Sequence, residues 1–303
     1  MITRRVFFRG LGTLVLSGAG FAGYAFGIEP HYRLVVTRYA VLPRNWPAGL
    51  KLKLAIVADL HVGDPFMSLA RVEEIVDVAN SLGADAILLL GDYKTGRYWR
   101  VRPLPPSEWA AILARLKAPL GVHAVLGNHD WWGDRAAQRD RKGPTIVRQA
   151  LEESGLPVYE NDVVRLEKDG APFWLAGLGD QIAFVTGEER GRPSFAGVDD
   201  LDGTLAKITD DAPVILLAHE PDIFPRVPDR VALTLSGHTH GGQVRLFGYS
   251  PIVPSAFGNR YAYGLVVEDG RNLVVSGGLG CSIMPVRFGV PPEIVVVELG
   301  ARG

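Results

Sequence analysis

Five short apolar runs, at 52–58, 86–90, 122–126, 213–218 and 231–235, each stop at residues able to bind a metal. Runs that are apolar throughout, rather than alternating, are strands covered on both faces, so other layers of structure must flank them. Their exits read Asp59-Leu60-His61, Gly91-Asp92, Gly127-Asn128-His129-Asp130, His219-Glu220-Pro221-Asp222 and Gly237-His238-Thr239-His240-Gly241-Gly242. Side chains two residues apart on an extended backbone point the same way, so Asp59 with His61, and His238 with His240, can converge on one point. Ligands of α/β sheets collect beyond the carboxyl ends of strands, which is where all five clusters sit.

Carboxylate, amide and imidazole donors together suit manganese, iron or zinc. Asp59, His61, Asp92, Asn128, His219, His238 and His240 are too many for one ion and fit two that share a bridging carboxylate. Two divalent cations about 3.5–4 Å apart acidify a water held between them and clamp phosphoryl oxygens. Asp92 has the two oxygens a bridge needs. Asn128 adds a neutral oxygen, which limits the negative charge of the donor set. His129, beside a ligand, is placed for general-acid work.

The order Asp-x-His, Gly-Asp, Gly-Asn-His-Asp, His, Gly-His-x-His resembles the calcineurin-like metallophosphoesterase superfamily, over roughly residues 51–299. Leu217-Ala218-His219-Glu220-Pro221-Asp222, Gly241-Gly242-Gln243-Val244-Arg245 and Arg287-Phe288-Gly289-Val290-Pro291-Pro292-Glu293 are similar to its exported or membrane-associated YkuE/YaeI-type branch. The resemblance implies an α/β (α+β) fold, a four-layer sandwich of two mixed β-sheets flanked by helices. It implies Asp59, His61, Asp92 and His240 around one divalent metal, and Asp92, Asn128, His219 and His238 around the other, with manganese first and zinc or iron as alternatives. His129 would protonate the leaving group or stabilise charge, with Asp130 orienting it. The implied activity is hydrolysis of phosphomonoester or phosphodiester bonds by a hydroxide bridging the metals, on a phosphorylated small molecule, lipid or cell-wall substrate. A narrower alternative is the pyrophosphate hydrolysis of UDP-2,3-diacylglucosamine that some relatives catalyse. A non-catalytic metal-binding scaffold is the third reading. Many relatives carry another Asp three residues after the Gly-Asp aspartate; here Thr95 stands there, which puts any carry-over of substrate in doubt.

The N-terminus reads differently. Arg4, Arg5 and Arg9 precede an uncharged, apolar run at 10–28, the layout of a twin-arginine-like export signal or a membrane anchor. The organisation expected is therefore 1–28 signal or anchor, 29–50 connecting segment, and 51–303 metallophosphoesterase domain. That places the domain outside the cytoplasm, with residues 10–28 as a candidate anchor to the cytoplasmic membrane. A net charge of -1 without a basic block predicts no nucleic-acid partner. The lone Cys281 excludes an internal disulfide and reads as a small buried hydrophobe.

Between the strands, apolar spacing at Leu69, Val72, Ile75, Val76 and Ala79 predicts a helix. Others are expected from Ser107, as cap, to about Lys117, and over 145–154. Asp169-Gly170 predicts a hairpin with a primed turn, and 181–202 a long surface loop. His123 reads as a packed histidine, and Arg245 and Arg287 as structural. Gln243 is a candidate site-lining residue. Tyr98, Trp99, Trp131 and Trp132 are candidates for an apolar wall, and Arg97, Arg100 and Arg102 for a second phosphate grip.

Overall fold

The computed structural model describes residues 18–96, 101–189 and 191–300. The longer strands are β1 (Val35–Val41), β2 (Leu52–Val57), β3 (Ala86–Leu89), β4 (Val122–Ala124), β5 (Asp162–Lys168), β6 (Ala171–Gly177), β7 (Phe184–Glu189), β8 (Arg192–Ala196), β9 (Val214–Leu217), β10 (Val231–Ser236), β11 (Gly264–Glu268), β12 (Arg271–Val275) and β13 (Glu293–Leu299). After a helical stretch at 18–32, the α-helices are α1 (Leu69–Ser81), α2 (Pro106–Leu113), α3 (Asn128–Trp132), α4 (Arg135–Asp140), α5 (Ile146–Glu153) and α6 (Leu201–Ala206).

The first sheet runs β1-β13-β2-β3-β4 and the second β11-β12-β10-β9-β6-β5. Both are mixed: β13 is antiparallel to β2 in the first, and the outer pairs β11–β12 and β5–β6 are antiparallel in the second. Strand alternation sorts the side chains into layers. Leu52, Leu54, Ile56 and Leu88 face inward onto Phe173, Leu175, Ile215 and Leu233 of the other sheet. Ala55, Val57, Ile87 and Leu89 face outward, under α1, α2 and α5. On the far side, Val214 and Leu216 meet Leu201, Phe224 and Tyr261. The result is the expected helix–sheet–sheet–helix sandwich. Each leucine fully buried this way stabilises it by roughly 1.5–3 kcal/mol.

Local signals explain several elements. Ser68 caps α1 by accepting from the Arg71 N–H, and Val72, Ile75, Val76 and Ala79 form its buried stripe. Thr145 caps α5 the same way, through the Arg148 N–H. Asp169 and Gly170 both take positive φ, 52° and 79°, as the β5–β6 hairpin turn requires. The connecting segment supplies β1, which pairs in parallel with β13 at the edge of the first sheet.

Two expectations are corrected. The helix expected from Ser107 starts at Pro106, after Pro105, and ends at Leu113 rather than Lys117. Proline's fixed φ suits the first helical position, so no side-chain cap is needed. The stretch 181–202 is not a long loop: it forms the β7–β8 hairpin and the start of α6, capped by Asp200. Only Phe184 of β7 is buried, so the hairpin had no apolar alternation to reveal it.

Residues 1–17, which hold Arg4, Arg5, Arg9 and the start of the apolar run, lie outside the described residues, as do Arg97, Tyr98, Trp99 and Arg100. Among the described residues no helix is long and apolar enough to cross a membrane.

Candidate metal centre

Neighbouring strands β2, β3 and β4 of one sheet, and β9 and β10 of the other, deliver their exits to one place. Asp59, His61, Asp92, Asn128, His219 and His240 are buried there. The donor atoms of Asp59, His61 and His240 lie within 4.8 Å of one another, and so do those of Asp92, His219 and His238, and those of His61, Asp92 and His129. Asp92 joins the groups: its Oδ2 stands 3.4 Å from His61 Nε2 and 3.3 Å from His219 Nε2. Its Oδ1 accepts the His129 N–H at 2.8 Å. Asn128 Oδ1 lies 2.9 Å from His238 Nδ1, and the His238 N–H donates to Asp59 Oδ1 at 2.9 Å.

The backbone works against its own preference to reach this arrangement. Asp59, His61, Asp92, His238 and His240 all have φ between 46° and 66°. Each costs on the order of 1 kcal/mol or more, a strain that persists only where the surroundings enforce it. Close approach explains two glycines. A Cβ at Gly127 would run into Asp92 Oδ1 and stand 2.6 Å from His219 Cε1, and one at Gly237 would stand 2.5 Å from Asp59 Oδ2.

The donor set fits cations. His219 Nδ1 donates to the Leu90 carbonyl at 2.6 Å, which turns Nε2 inward; that atom and Asp59 Oδ2 are buried without a hydrogen-bond partner. His61 Nε2 and His240 Nε2 face each other at 3.0 Å. A buried carboxylate oxygen without a partner, as Asp59 Oδ2 is, costs free energy unless positive charge sits beside it. Burial keeps the imidazoles of His61, pushed down to about 3, and of His238 and His129 neutral. His240 lies well below its ordinary value through burial, then His61 and Arg287. Burial opposes ionisation of Asp92, but His219, His129 and His61 together hold its carboxyl well below the usual range. Burial would also lower His219, and Asp92 overrides it to raise that imidazole. Asp59 is pushed up to about 7 by burial despite His219.

Other candidates fall into place differently. The Asp130 carboxylate accepts four backbone N–H bonds, from Asp92, Tyr93, Lys94 and Gly127, at 2.9–3.1 Å. It clamps the β3 exit to the start of α3. Trp131 is buried in the core against Phe184 and forms no wall of the site. Trp132 does reach the centre: with His129, Lys94 and Arg135 it lines an adjoining cleft. Arg102 is exposed and paired with Asp64. Gln243 fastens the neighbouring loop, through the Met284 carbonyl and the Ser282 N–H. Cys281 is only partly buried. His123 is packed, bonded to Tyr159 and the Leu120 carbonyl. Thr95 is buried beside Gly63.

Two contributors were missed. Arg287 is fully buried, donates to the Gly277, Gly280 and Val290 carbonyls, and brings Nη2 to 3.2 Å from His240 Nδ1. An arginine beside a turn carries no signal for that contact. Asp180 is buried with Glu220, next to His219; burial and then the Glu220 charge raise its carboxyl well above the usual range. Asp180 follows the apolar β6, so the strand-exit signal was present there too.

The model of the calcineurin-like phosphoesterases matches residues 52–242. The metallophosphoesterase YkuE of Bacillus subtilis (strain 168) is 31% identical, with 98% of each chain covered. A metallophosphoesterase of Aquifex aeolicus (strain VF5) is 30% identical, over 90% of this chain and 94% of its own. The phosphodiesterase YaeI of Escherichia coli (strain K12) is 28% identical, over 99% of this chain and 100% of its own. A match that spans all five strand exits, within full-length relatives whose names are metallophosphoesterases, makes this chain a member of the calcineurin-like phosphoesterase family.

Proposed function

We propose that the centre hydrolyses phosphodiester bonds with two divalent cations, one held by Asp59, His61, Asp92 and His240 and the other by Asp92, Asn128, His219 and His238. The carrying observation is Asp92 Oδ2, placed between His61 Nε2 and His219 Nε2 where one carboxylate serves both groups. The choice of diester over monoester draws on the name of the Escherichia coli relative. Bound cations would supply an acidified water and Lewis acidity at the phosphoryl oxygens.

The chain's own residues do the rest. Asn128 adds a donor without charge, so the centre keeps enough positive potential to receive an anion. His129 sits at the mouth, grouped with His61 and Asp92 and beside Trp132, where its imidazolium form can hand a proton to a leaving alkoxide. Lys94 and Arg135 along the cleft attract the substrate's charge. An extracytoplasmic location belongs to the same proposal and rests on the sequence of residues 1–28.

The test is hydrolysis of bis(p-nitrophenyl) phosphate and p-nitrophenyl phosphate by chelated protein, reloaded in turn with manganese, zinc and iron. Activity is expected to vanish on chelation, to return best with manganese, and to favour the diester. Unaltered turnover after chelation, or in Asp92→Ala, would remove the reading.

A further inference from the structure

Three adjoining segments present an apolar surface beside the metal centre. The helical stretch at 18–32 exposes Phe21, Phe26, Ile28 and Tyr32; the turn at 246–252 exposes Phe247, Tyr249 and Ile252; the loop at 281–288 exposes Ile283 and Met284. Ile252 is 79% and Ile283 70% exposed, and Phe247 is entirely so. The three are tied into one scaffold. Phe21 packs its ring 4.4 Å from that of Phe288, and the Arg287 N–H donates to the Ala25 carbonyl at 2.9 Å. The Arg245 N–H donates to the Phe288 carbonyl at 2.8 Å, and Gln243 holds Ser282 and Met284. Exposed apolar side chains gathered on linked segments in this way mark a docking surface.

We infer that this face docks the domain onto a lipid bilayer. Charge favours that occupant. Across 18–32, 243–257 and 281–292 the one carboxylate is Glu29, and it is buried, so none of the three segments exposes a charge that repels anionic head groups. Chain continuity favours it too. The uncharged apolar run at 10–28, preceded by Arg4, Arg5 and Arg9, leads directly into the helical stretch that packs on this scaffold. The face also borders a cleft that reaches the centre: Phe66, Met67, Ile283 and Met284 line it together with His61 and Thr95. Docked, the domain holds its metal centre at the height of lipid head groups.

The test uses the full chain and vesicles of phosphatidylglycerol and phosphatidylethanolamine. In a Cys281→Ser background, an environment-sensitive dye is placed at Phe247→Cys and, for comparison, at Asp211→Cys, at the opposite end of β9 from His219. The dye at 247 is expected to shift to the blue on vesicle addition and to be quenched by spin-labelled lipid, with no response at 211. Phe247→Ser with Ile252→Ser should weaken vesicle partitioning at least tenfold while leaving turnover of a soluble aryl phosphodiester within twofold. The inference fails if the dye at 247 stays in water while the chain is bound, since the N-terminus alone then holds it. It fails equally if partitioning survives the double substitution, or if the 247 position is buried without lipid in a concentration-dependent dimer.

Discussion

Replacing Asp130 with alanine removes one carboxylate that serves four backbone N–H groups, those of Asp92, Tyr93, Lys94 and Gly127. The site is fully buried. A buried donor left without an acceptor costs about 1–3 kcal/mol, and water admitted into the space would satisfy some of the four. A net loss of about 4 kcal/mol is expected. At about 2.1 cal/mol/K per residue, a chain this long has an unfolding entropy near 0.64 kcal/mol/K, so Tm should fall by about 6 °C. Asp130→Asn keeps one acceptor oxygen but turns its amide N–H2 on the other pair of donors, so about half that loss is expected. Scanning calorimetry in chelator reads the effect without the contribution of metal binding, and turnover against pH is measured on reloaded protein. An unchanged Tm together with a fallen kcat and a displaced alkaline limb would refute the clamp and favour Asp130 as the group that orients the His129 ring.

Gly127→Ala should leave the circular dichroism native while cutting turnover by roughly 10²-fold or more, because its Cβ would press on Asp92 Oδ1 and His219 at once. Isothermal titration with manganese would show whether metal is lost with activity, and full turnover would contradict the packing described. Trp131→Ala should destabilise by about 3–5 kcal/mol as a core cavity forms, whereas Trp132→Ala should change KM more than Tm; a denaturation series with steady-state kinetics separates them. Burial, then Glu293, pushes Tyr39 up to about 12, and burial raises Tyr93 and Tyr263 as well. These hydroxyls stay protonated in the fold while unfolded tyrosine ionises near pH 10, so their stabilising contribution is complete below that pH and is lost as pH rises towards 12. Absorbance at 295 nm should show them silent until a cooperative alkaline unfolding step; smooth ionisation near pH 10 without unfolding would contradict it.

The residues before β2 show where local reading stops. The connecting segment forms β1 over 35–41, and its partner is β13, at the other end of the chain. The hairpin within 181–202 was illegible because all but Phe184 of β7 faces out, and a strand without a buried face leaves no period in the residue types. Trp131 and Trp132 are neighbours of one chemistry, and only the direction of α3 sends one into the core and the other to the cleft.

What the amino-acid order determined was chemistry and layering. Apolar runs two faces deep demand a sandwich, and carboxylate, amide and imidazole groups at their exits announce a metal centre, because both follow from residue type and short-range period. The tertiary structure decided orientation. It set Asp92 between two histidines, spent Asp130 on the backbone, brought Arg287 to His240 and twisted five ligand residues into positive φ. Those outcomes depend on contacts between segments tens to hundreds of residues apart, and no local pattern encodes the angle at which two strands meet.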